Sequence, residues 1–158
     1  LKHERGGSAA SPTLTRYVER ARAAASETPS PFGGVLADDP VFQCDMGELE
    51  ADIASLSHLE KLAISGHPIA KDPAFPSLNK TINSELTQRA SVLMTKVSGV
   101  SGLARQLEAL RVGSNVEPQG SEFDLISMPL YLNSRATPIY AGSNEVQRDL
   151  IARSLAAS

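Results

Sequence analysis

The stretch PIYAGSNEVQR, residues 138–148, leads into the last predicted helix and decides how the rest of the chain is interpreted. Gly142 predicts a turn, and Ser143 and Glu145 bring a hydroxyl and a carboxylate to the start of the helix that follows. Residues at helical spacing give that helix one apolar face: Val146, Leu150, Ile151 and Leu155. Unpaired N–H groups and the positive end of the macrodipole meet at such a helix N-terminus. Two interpretations therefore stay open, a plain capped helix and a site for a dinucleotide or a polarised carbonyl.

The same helical spacing recurs in four further segments. Apolar residues three or four apart predict helices over residues 1–26, 40–65, 75–98 and 123–136. The first is interrupted at Gly6-Gly7 and restarts at Pro12, and Pro129 bends the last or confines its regular part. Residues 28–34 and 112–121 are predicted loops. Because no strand-like alternation or internal repeat occurs, the sequence predicts an all-α, up-and-down helical bundle.

Composition excludes several classes of function. With 158 residues and a net charge of −3, the chain suits a single domain and gives no sign of binding nucleic acid or an anionic membrane. Cys44 is the sole cysteine, so we interpret it as a small apolar residue suited to burial and not as a nucleophile. The three histidines show no ligand spacing, so we expect no metal site. No apolar run approaches ~20 residues, so we expect no membrane span.

The stretch 138–148 resembles the C-terminal signature of acyl-CoA dehydrogenases, in which Ile-Tyr precedes a glycine turn, a hydroxyl residue and an apolar helix beginning near Gln-Arg. The similarity continues through residues 149–153 and includes residues 134–136 upstream. The resemblance implies α,β-dehydrogenation of an acyl-CoA substrate with FAD as the cofactor. It assigns Ala141 and Gly142 to the substrate thioester, and Ser143, Asn144 and Glu145 to the flavin. The alternative for the last three is ordinary N-capping.

Position 141 departs from the common form of that signature, in which a glutamate is the catalytic base. Here it is Ala141, which accepts no proton. One branch, resembling isovaleryl- and long-chain acyl-CoA dehydrogenases, carries its base on the first helix of this domain, immediately before an arginine. Glu4 and Arg5 fit that pattern. The resemblance therefore implies that Glu4 is the base and that Arg5 lines the substrate site. The alternative is a solvated glutamate beside a surface arginine.

Other departures fall on contacts that the family makes across a subunit interface. An arginine often stands three residues before Phe32-Gly33, but this chain has Pro29 there. Gln43 is the nearest candidate for an expected glutamine, and a Gly-Gly-x-Gly turn is missing. The pattern resembles divergent actinobacterial members, some of which assemble from two unlike chains and hold fewer flavins than subunits. We therefore expect a homo- or hetero-oligomer, dimer or tetramer.

The resemblance also implies a setting for the protein. Electron-transfer flavoprotein is the expected electron acceptor, and the expected compartment is the bacterial cytoplasm or, in a eukaryote, the mitochondrial matrix. The sequence begins at Leu1 within a predicted helix, so we expect residues 1–158 to be a C-terminal domain that lacks the family's N-terminal helical and middle β domains. Such a fragment is not expected to catalyse the reaction alone. Two alternatives stay open: a non-catalytic partner subunit and a helical interaction module.

Overall fold

Five α-helices form the fold in a computed structural model that describes residues 9–156. In chain order they are α1 Ser11–Ala25, α2 Pro40–Ile64, α3 Phe75–Ser98, α4 Glu122–Ser134 and α5 Asn144–Ala156. Short 3₁₀ turns lie at Leu36–Asp38, Pro68–Lys71 and Ser101–Leu103. No strand occurs between residues 9 and 156, where Pro29 and Val35 form a single bridge. The predicted all-α bundle is confirmed.

The helix limits follow from local chemistry. Asp39 caps α2 by accepting hydrogen bonds from the N–H groups of Val41 and Phe42 at 2.8 and 3.1 Å. Gly66, with φ of +74°, follows the end of the same helix. Pro129 does not confine the regular part of α4, because the helix continues through it to Ser134. Of the first predicted helix, residues 1–8 lie outside the described part of the chain.

The core lies around α3, which contacts each of the other four helices. Large side chains from α1, α2 and α3 fill it, with one aromatic ring from α4. Burying each large apolar side chain contributes about 1.5–3 kcal/mol to the free energy of folding. The main members are Leu14, Val18, Met46, Leu49, Ile53, Leu56, Leu86, Leu93, Met94, Val97 and Phe123.

A column of serines runs along α3 beside this apolar core. Its four members recur every seven residues and are all buried: Ser77, Ser84, Ser91 and Ser98. On α4, Ser134 lies 2.8 Å from Ser91, oxygen to oxygen, and Ser127 accepts a 2.8 Å hydrogen bond from Ser98. The two serine rows pair in opposite directions, so α3 and α4 are antiparallel. Because the serine side chains are small, the two helices can approach closely. The buried hydroxyl groups satisfy their hydrogen-bonding capacity by bonding to one another.

The structure contradicts the predicted suitability of Cys44 for burial. The residue is exposed on α2. The buried positions of this helix include Phe42, Met46, Leu49 and Ile53, which define the face toward the core. Position 44 falls on the other side of the helix, so its burial depends on rotation about the helix axis and not on residue type.

The N-terminus of α1 is capped by a residue from another helix. Glu60 on α2 is 6% exposed, and its carboxylate accepts hydrogen bonds from the Ala10 N–H at 2.6 Å and from the Ser11 hydroxyl at 2.5 Å. The Ser11 N–H also lies 3.3 Å from this carboxylate. A negative charge at this point satisfies otherwise unpaired donors and complements the macrodipole. Glu60 therefore fixes where the chain enters α1.

Replacing this buried carboxylate tests its role. We expect Glu60→Ala to lower the free energy of unfolding by about 2–3 kcal/mol, because a charge-assisted cap is lost and buried donors are left unpaired. Urea unfolding of the protein measures the change. Glu27→Ala is the matched control, since Glu27 is exposed and lies just beyond the C-terminal end of α1. Equal effects of the two substitutions would contradict the assigned role of Glu60.

Candidate functional site

The segment between α4 and α5 is anchored on α3. Thr137 donates its hydroxyl to the carbonyl oxygens of Ser134 at 2.7 Å and of Ser84 at 3.3 Å. The N–H of Asn144 donates to the carbonyl of Pro138 at 2.9 Å. These bonds close the chain into a compact turn that ends at the first residue of α5.

Two consecutive residues of this turn have left-handed backbone conformations. Ala141 has φ of +56° and Gly142 has φ of +85°, and Ala141 is the single non-glycine residue with positive φ among residues 9–156. For an L-residue this conformation costs roughly 1–2 kcal/mol, whereas glycine adopts it freely. The alanine is therefore strained, and the surrounding structure has to hold it in place.

Gln147 holds the strained turn from within. Its side chain is fully buried, and its Nε2 donates to the carbonyl oxygens of Ala141 and Gly142, each at 3.3 Å. A side chain in the first turn of a helix leans back toward the N-terminus, which explains this reach. A Cβ atom on Gly142 would lie 2.5 Å from the same Nε2. Gly142 is thus required by its backbone angle and by the approach of Gln147.

The turn offers backbone hydrogen-bond donors. Within residues 9–156, the N–H groups of Ala141, Gly142 and Ser143 have no hydrogen-bond acceptor. In a planar trans peptide the N–H points opposite to the carbonyl oxygen. Because the carbonyls of Ala141 and Gly142 face the buried amide of Gln147, the N–H groups of Gly142 and Ser143 lie on the opposite side of each peptide plane from that amide. Donors of this kind at a helix N-terminus suit an oxygen acceptor or an anion.

Asn144 is buried and hydrogen-bonded to α3. Its side chain is 3% exposed, and its Oδ1 accepts hydrogen bonds from Lys80 Nζ at 2.7 Å and from the Ser84 hydroxyl at 3.0 Å. Its Nδ2 lies 3.5 Å from a carboxylate oxygen of Glu85. The side chain therefore ties the start of α5 to α3, and its assignment to a flavin stays a prediction.

Ser143 immediately precedes α5, and Glu145 lies in the first turn of the helix. The Ser143 hydroxyl lies 3.5 Å from the N–H of Val146. The pKa of the exposed Glu145 carboxyl is lowered, first by a hydrogen bond from its own backbone N–H and then by the Ser143 hydroxyl. The capping alternative therefore describes contacts that these residues make, while the carboxylate of Glu145 stays open to solvent.

Lys80 is a site residue that the sequence analysis missed. Burial lowers the pKa of its ammonium group, and the nearby carboxylate of Glu145 raises it in part. Its position on α3, distant in sequence from the signature, gave no signal. Gln147 was also missed, although it belongs to the quoted stretch, because only the fold shows its amide meeting the turn.

The apolar face predicted for α5 is only partly covered, since Leu150 and Ile151 are half-buried and its other two members are exposed. Val146 is 51% exposed and Leu155 is 68% exposed, whereas the buried residues of the helix are Asn144 and Gln147. The helix packs mainly on α3, through polar residues at its start. The apolar spacing predicted the helix correctly, but it did not predict which side of the helix is fully buried against the bundle.

The predicted site residues fall into two groups. Ala141, Gly142, Ser143, Asn144 and Glu145 lie together at the start of α5. The proposed base Glu4 and its neighbour Arg5 lie outside the described residues.

Residues 9–156 present neither a metal cluster nor a membrane-spanning helix. No group of three or more His, Cys, Asp or Glu side chains there is arranged to hold a metal ion. None of the helices in that range has the length and apolar character needed to cross a membrane.

The glycine at the turn can be tested against a second left-handed glycine. We expect Gly142→Ala to lower the free energy of unfolding by about 3 kcal/mol, since it combines backbone strain with a clash against Gln147. Gly66→Ala is the control, because Gly66 has φ of +74° but open space around its Cβ position. It should cost about 1 kcal/mol. Thermal unfolding of the two variants measures both losses of free energy. Equal losses would show that a side chain at position 142 does not clash with Gln147.

This chain resembles known structures. The crystal structure of the ChsE4-ChsE5 complex from Mycobacterium tuberculosis matches with a TM-score of 0.70 and 21% identity, covering 92% of this chain and 34% of that one. The FAD complex of PigA matches with a TM-score of 0.69 and 18% identity, covering 93% and 34%. The chain therefore shares their fold and spans about a third of their length. No curated protein matches it significantly.

Family membership rests on the sequence itself. The family described as "Acyl-CoA dehydrogenase, C-terminal domain" matches residues 1–156, which is nearly the whole chain. The chain belongs to the acyl-CoA dehydrogenase family, as a member of its C-terminal domain.

Proposed function

We propose that this chain is the C-terminal helical part of a flavin-dependent acyl-CoA dehydrogenase. The reaction removes a proton from the α carbon of an acyl-CoA thioester and a hydride from its β carbon. One observation carries the proposal. Within the family signature, a strained turn at the N-terminus of α5 presents the free N–H groups of Gly142 and Ser143 on the opposite side of each peptide plane from the buried amide of Gln147.

Polarisation of the thioester carbonyl is the first role of this turn. Negative charge develops on the carbonyl oxygen as the α proton leaves, and backbone donors fixed in advance stabilise it. Gly142 and Ser143 present such donors, and the side chains of Ala141 and Gly142 beside them are small or absent. In other enzymes, removing one donor of this kind lowers the rate about 10²–10³-fold.

The residues at the start of α5 also fit FAD. Free N–H groups and the positive end of the helix dipole suit carbonyl and phosphate oxygens, and the exposed carboxylate of Glu145 can accept hydrogen bonds from hydroxyl groups. We assign Ser143, Asn144 and Glu145 to this cofactor, with Asn144 acting through the anchoring of α5 on Lys80 and Ser84. When bound, FAD supplies the acceptor for the hydride.

The base is assigned to Glu4, with Arg5 lining the same pocket. Ala141 occupies the position where the common signature has its base, and a methyl group cannot take a proton. Its small size leaves room for a carboxylate that arrives from another helix. A base in this role requires a largely dry environment, so that its pKa approaches the working pH. This assignment places the chain in the isovaleryl- and long-chain-like branch.

Partners follow from the same proposal. The acyl-CoA is the substrate, electron-transfer flavoprotein is the electron acceptor, and the assembly is a homo- or hetero-oligomer in the bacterial cytoplasm or the mitochondrial matrix. Exposed apolar side chains support contact with further polypeptide, for example Phe32 at 89% exposure and Val100 at 86%. Pro29, in place of an arginine, favours an unlike partner chain.

The assignment of the base is tested in the full-length protein with any partner chain. We expect Glu4→Gln to lower the dehydrogenation rate about 10²–10⁴-fold while the flavin content stays unchanged, because the amide accepts no proton. Stopped-flow reduction of the flavin by acyl-CoA measures the rate. Adding Ala141→Glu to Glu4→Gln should restore part of it, and Glu27→Gln is the exposed control. Near-wild-type turnover of Glu4→Gln would exclude Glu4 as the base.

A second candidate is a non-catalytic subunit that completes the site of an unlike chain. Ala141 and Pro29 favour it, since both replace side chains that the family commonly uses in catalysis or flavin binding. It predicts that Glu4→Gln has no effect, while flavin and turnover appear only with the partner chain. If the full-length protein shows no flavin spectrum alone or with a partner, a plain interaction module is supported instead.

A further inference from the structure

We propose that the groove between α2 and α3 binds a second copy of this chain, with Arg135 of each copy opposite Glu48 of the other. The inference names the surface through which like chains of the expected oligomer associate. It rests on the proposed function for the expectation of an oligomer alone, since neither residue belongs to the site at the start of α5. It does not compete with an unlike partner at another face.

The groove is an open cavity of about 520 Å³ along two antiparallel helices. Ion pairs cross from α3 to α2, from Lys96 to Asp45 and from Arg89 to Asp52, and their order along the chain shows that the helices run in opposite directions. Apolar side chains, including the buried Leu49, line the groove together with the charged ones. A groove of this kind accepts the side-chain ridge of another helix.

Arg135 reaches the groove from the end of α4 and has no carboxylate partner within residues 9–156. Its Nη2 donates to the carbonyl of Gln88 at 3.3 Å and to the hydroxyls of Ser91 and Ser134 at 3.1 and 3.0 Å. The ring of Tyr131 covers the guanidinium at 4.4 Å. These contacts hold the group in place, while both hydrogens of Nη1 stay without an acceptor in that range. A guanidinium fixed in this way suits a carboxylate.

The other charged side chains of the groove are paired, and one carboxylate among them is held loosely. Glu85 pairs with Arg148, and Arg89 pairs closely with Asp52. Glu48 lies 3.8 Å from Arg89, which Asp52 already neutralises, and its side chain is 69% exposed. In the described part of the chain, the groove therefore combines a cation without a carboxylate partner and a carboxylate that is weakly paired.

These two residues make the surface self-complementary. In a dimer with two-fold symmetry, a contact from one residue to another is repeated in the reverse direction. Arg135 and Glu48 line the same groove, so a two-fold axis through it places each arginine opposite the glutamate of the other copy. A second copy supplies both complementary charges by itself. The observed charges therefore favour a second copy over an unlike chain as the occupant.

Charge reversal in the full-length protein tests this contact. Arg135→Glu and Glu48→Arg each place like charges opposite one another in the dimer. An equimolar mixture of the two variants restores opposite charges at both contacts, because each variant keeps the residue that the other needs. Sedimentation velocity over a concentration series measures Kd for self-association. Arg16→Glu and Glu27→Arg are the matched controls, since both residues are exposed and lie outside the groove.

We expect each reversal alone to raise Kd about 10–100-fold, because like charges then repel at both contacts. The mixture should return Kd to within about three-fold of the wild-type value, and the controls should leave it unchanged. The proposal is overturned by a monomeric wild-type protein, by single variants with wild-type Kd, or by a mixture that associates no better than its components. Loss of binding to an unlike chain alone would assign the groove to that chain instead.

A second measurement covers the case in which Arg135→Glu does not fold. Glu48→Arg leaves the contacts of Arg135 within the chain intact, so its Kd alone is decisive. Glu48→Gln should raise Kd less, because it removes attraction without adding repulsion. Added salt should weaken wild-type self-association more than that of Glu48→Gln. Equal Kd values for Glu48→Arg and the wild-type protein would contradict the proposal.

The proposed function is tested separately by flavin reduction with acyl-CoA. A monomer that reduces its flavin would overturn the contact and leave the proposed function standing. A dimer that responds to charge reversal as expected, but shows no flavin reduction, would support the contact and count against the proposed function.

Discussion

Hydrogen bonds between buried groups on α3 and the last third of the chain are the constraint on which the site depends. Ser98 and Ser91 pair with serines of α4, and Ser84 binds both the turn and Asn144 at the start of α5. Apolar packing holds α1, α2 and α3 together, but α5 joins the bundle mainly through polar contacts. Hydrogen bonds have a defined direction and length, so they fix the position of the turn more strictly than apolar contact would.

The backbone of the turn is strained, and the hydrogen bonds that join the turn to α3 offset the free-energy cost of that strain. Ala141 is held left-handed, and the buried Gln147 leaves one of its own polar atoms unpaired. Departures of this kind from local preference concentrate at functional sites. The fold thereby presents N–H groups at a helix N-terminus without using a charged side chain. A substrate carbonyl needs such donors already in place before charge develops on its oxygen.

Much of the fold was predictable because apolar spacing and helix-breaking residues act locally. The limits of α2 and α3 agree with those predicted from residues 40–65 and 75–98. The face that each helix buries was less predictable. Cys44 is exposed, and the apolar face of α5 is only partly covered, because burial depends on which neighbours surround a helix. The serine column on α3 was visible as a spacing of seven, but polar residues at that spacing look the same on a solvated face.

The sequence by itself determined the helical bundle, the membership of the acyl-CoA dehydrogenase family and the cluster of residues 141–145. These follow from local spacing and from a contiguous signature, so they need no knowledge of long-range contacts. Only the tertiary structure decided which contacts the members of that cluster make. It ties Asn144 to Lys80 and Ser84, brings Gln147 against the carbonyls of the turn, and leaves the donors of Gly142 and Ser143 free. Those outcomes depend on distances between atoms far apart in sequence or on rotation about a peptide bond, and neither is encoded in residue type alone.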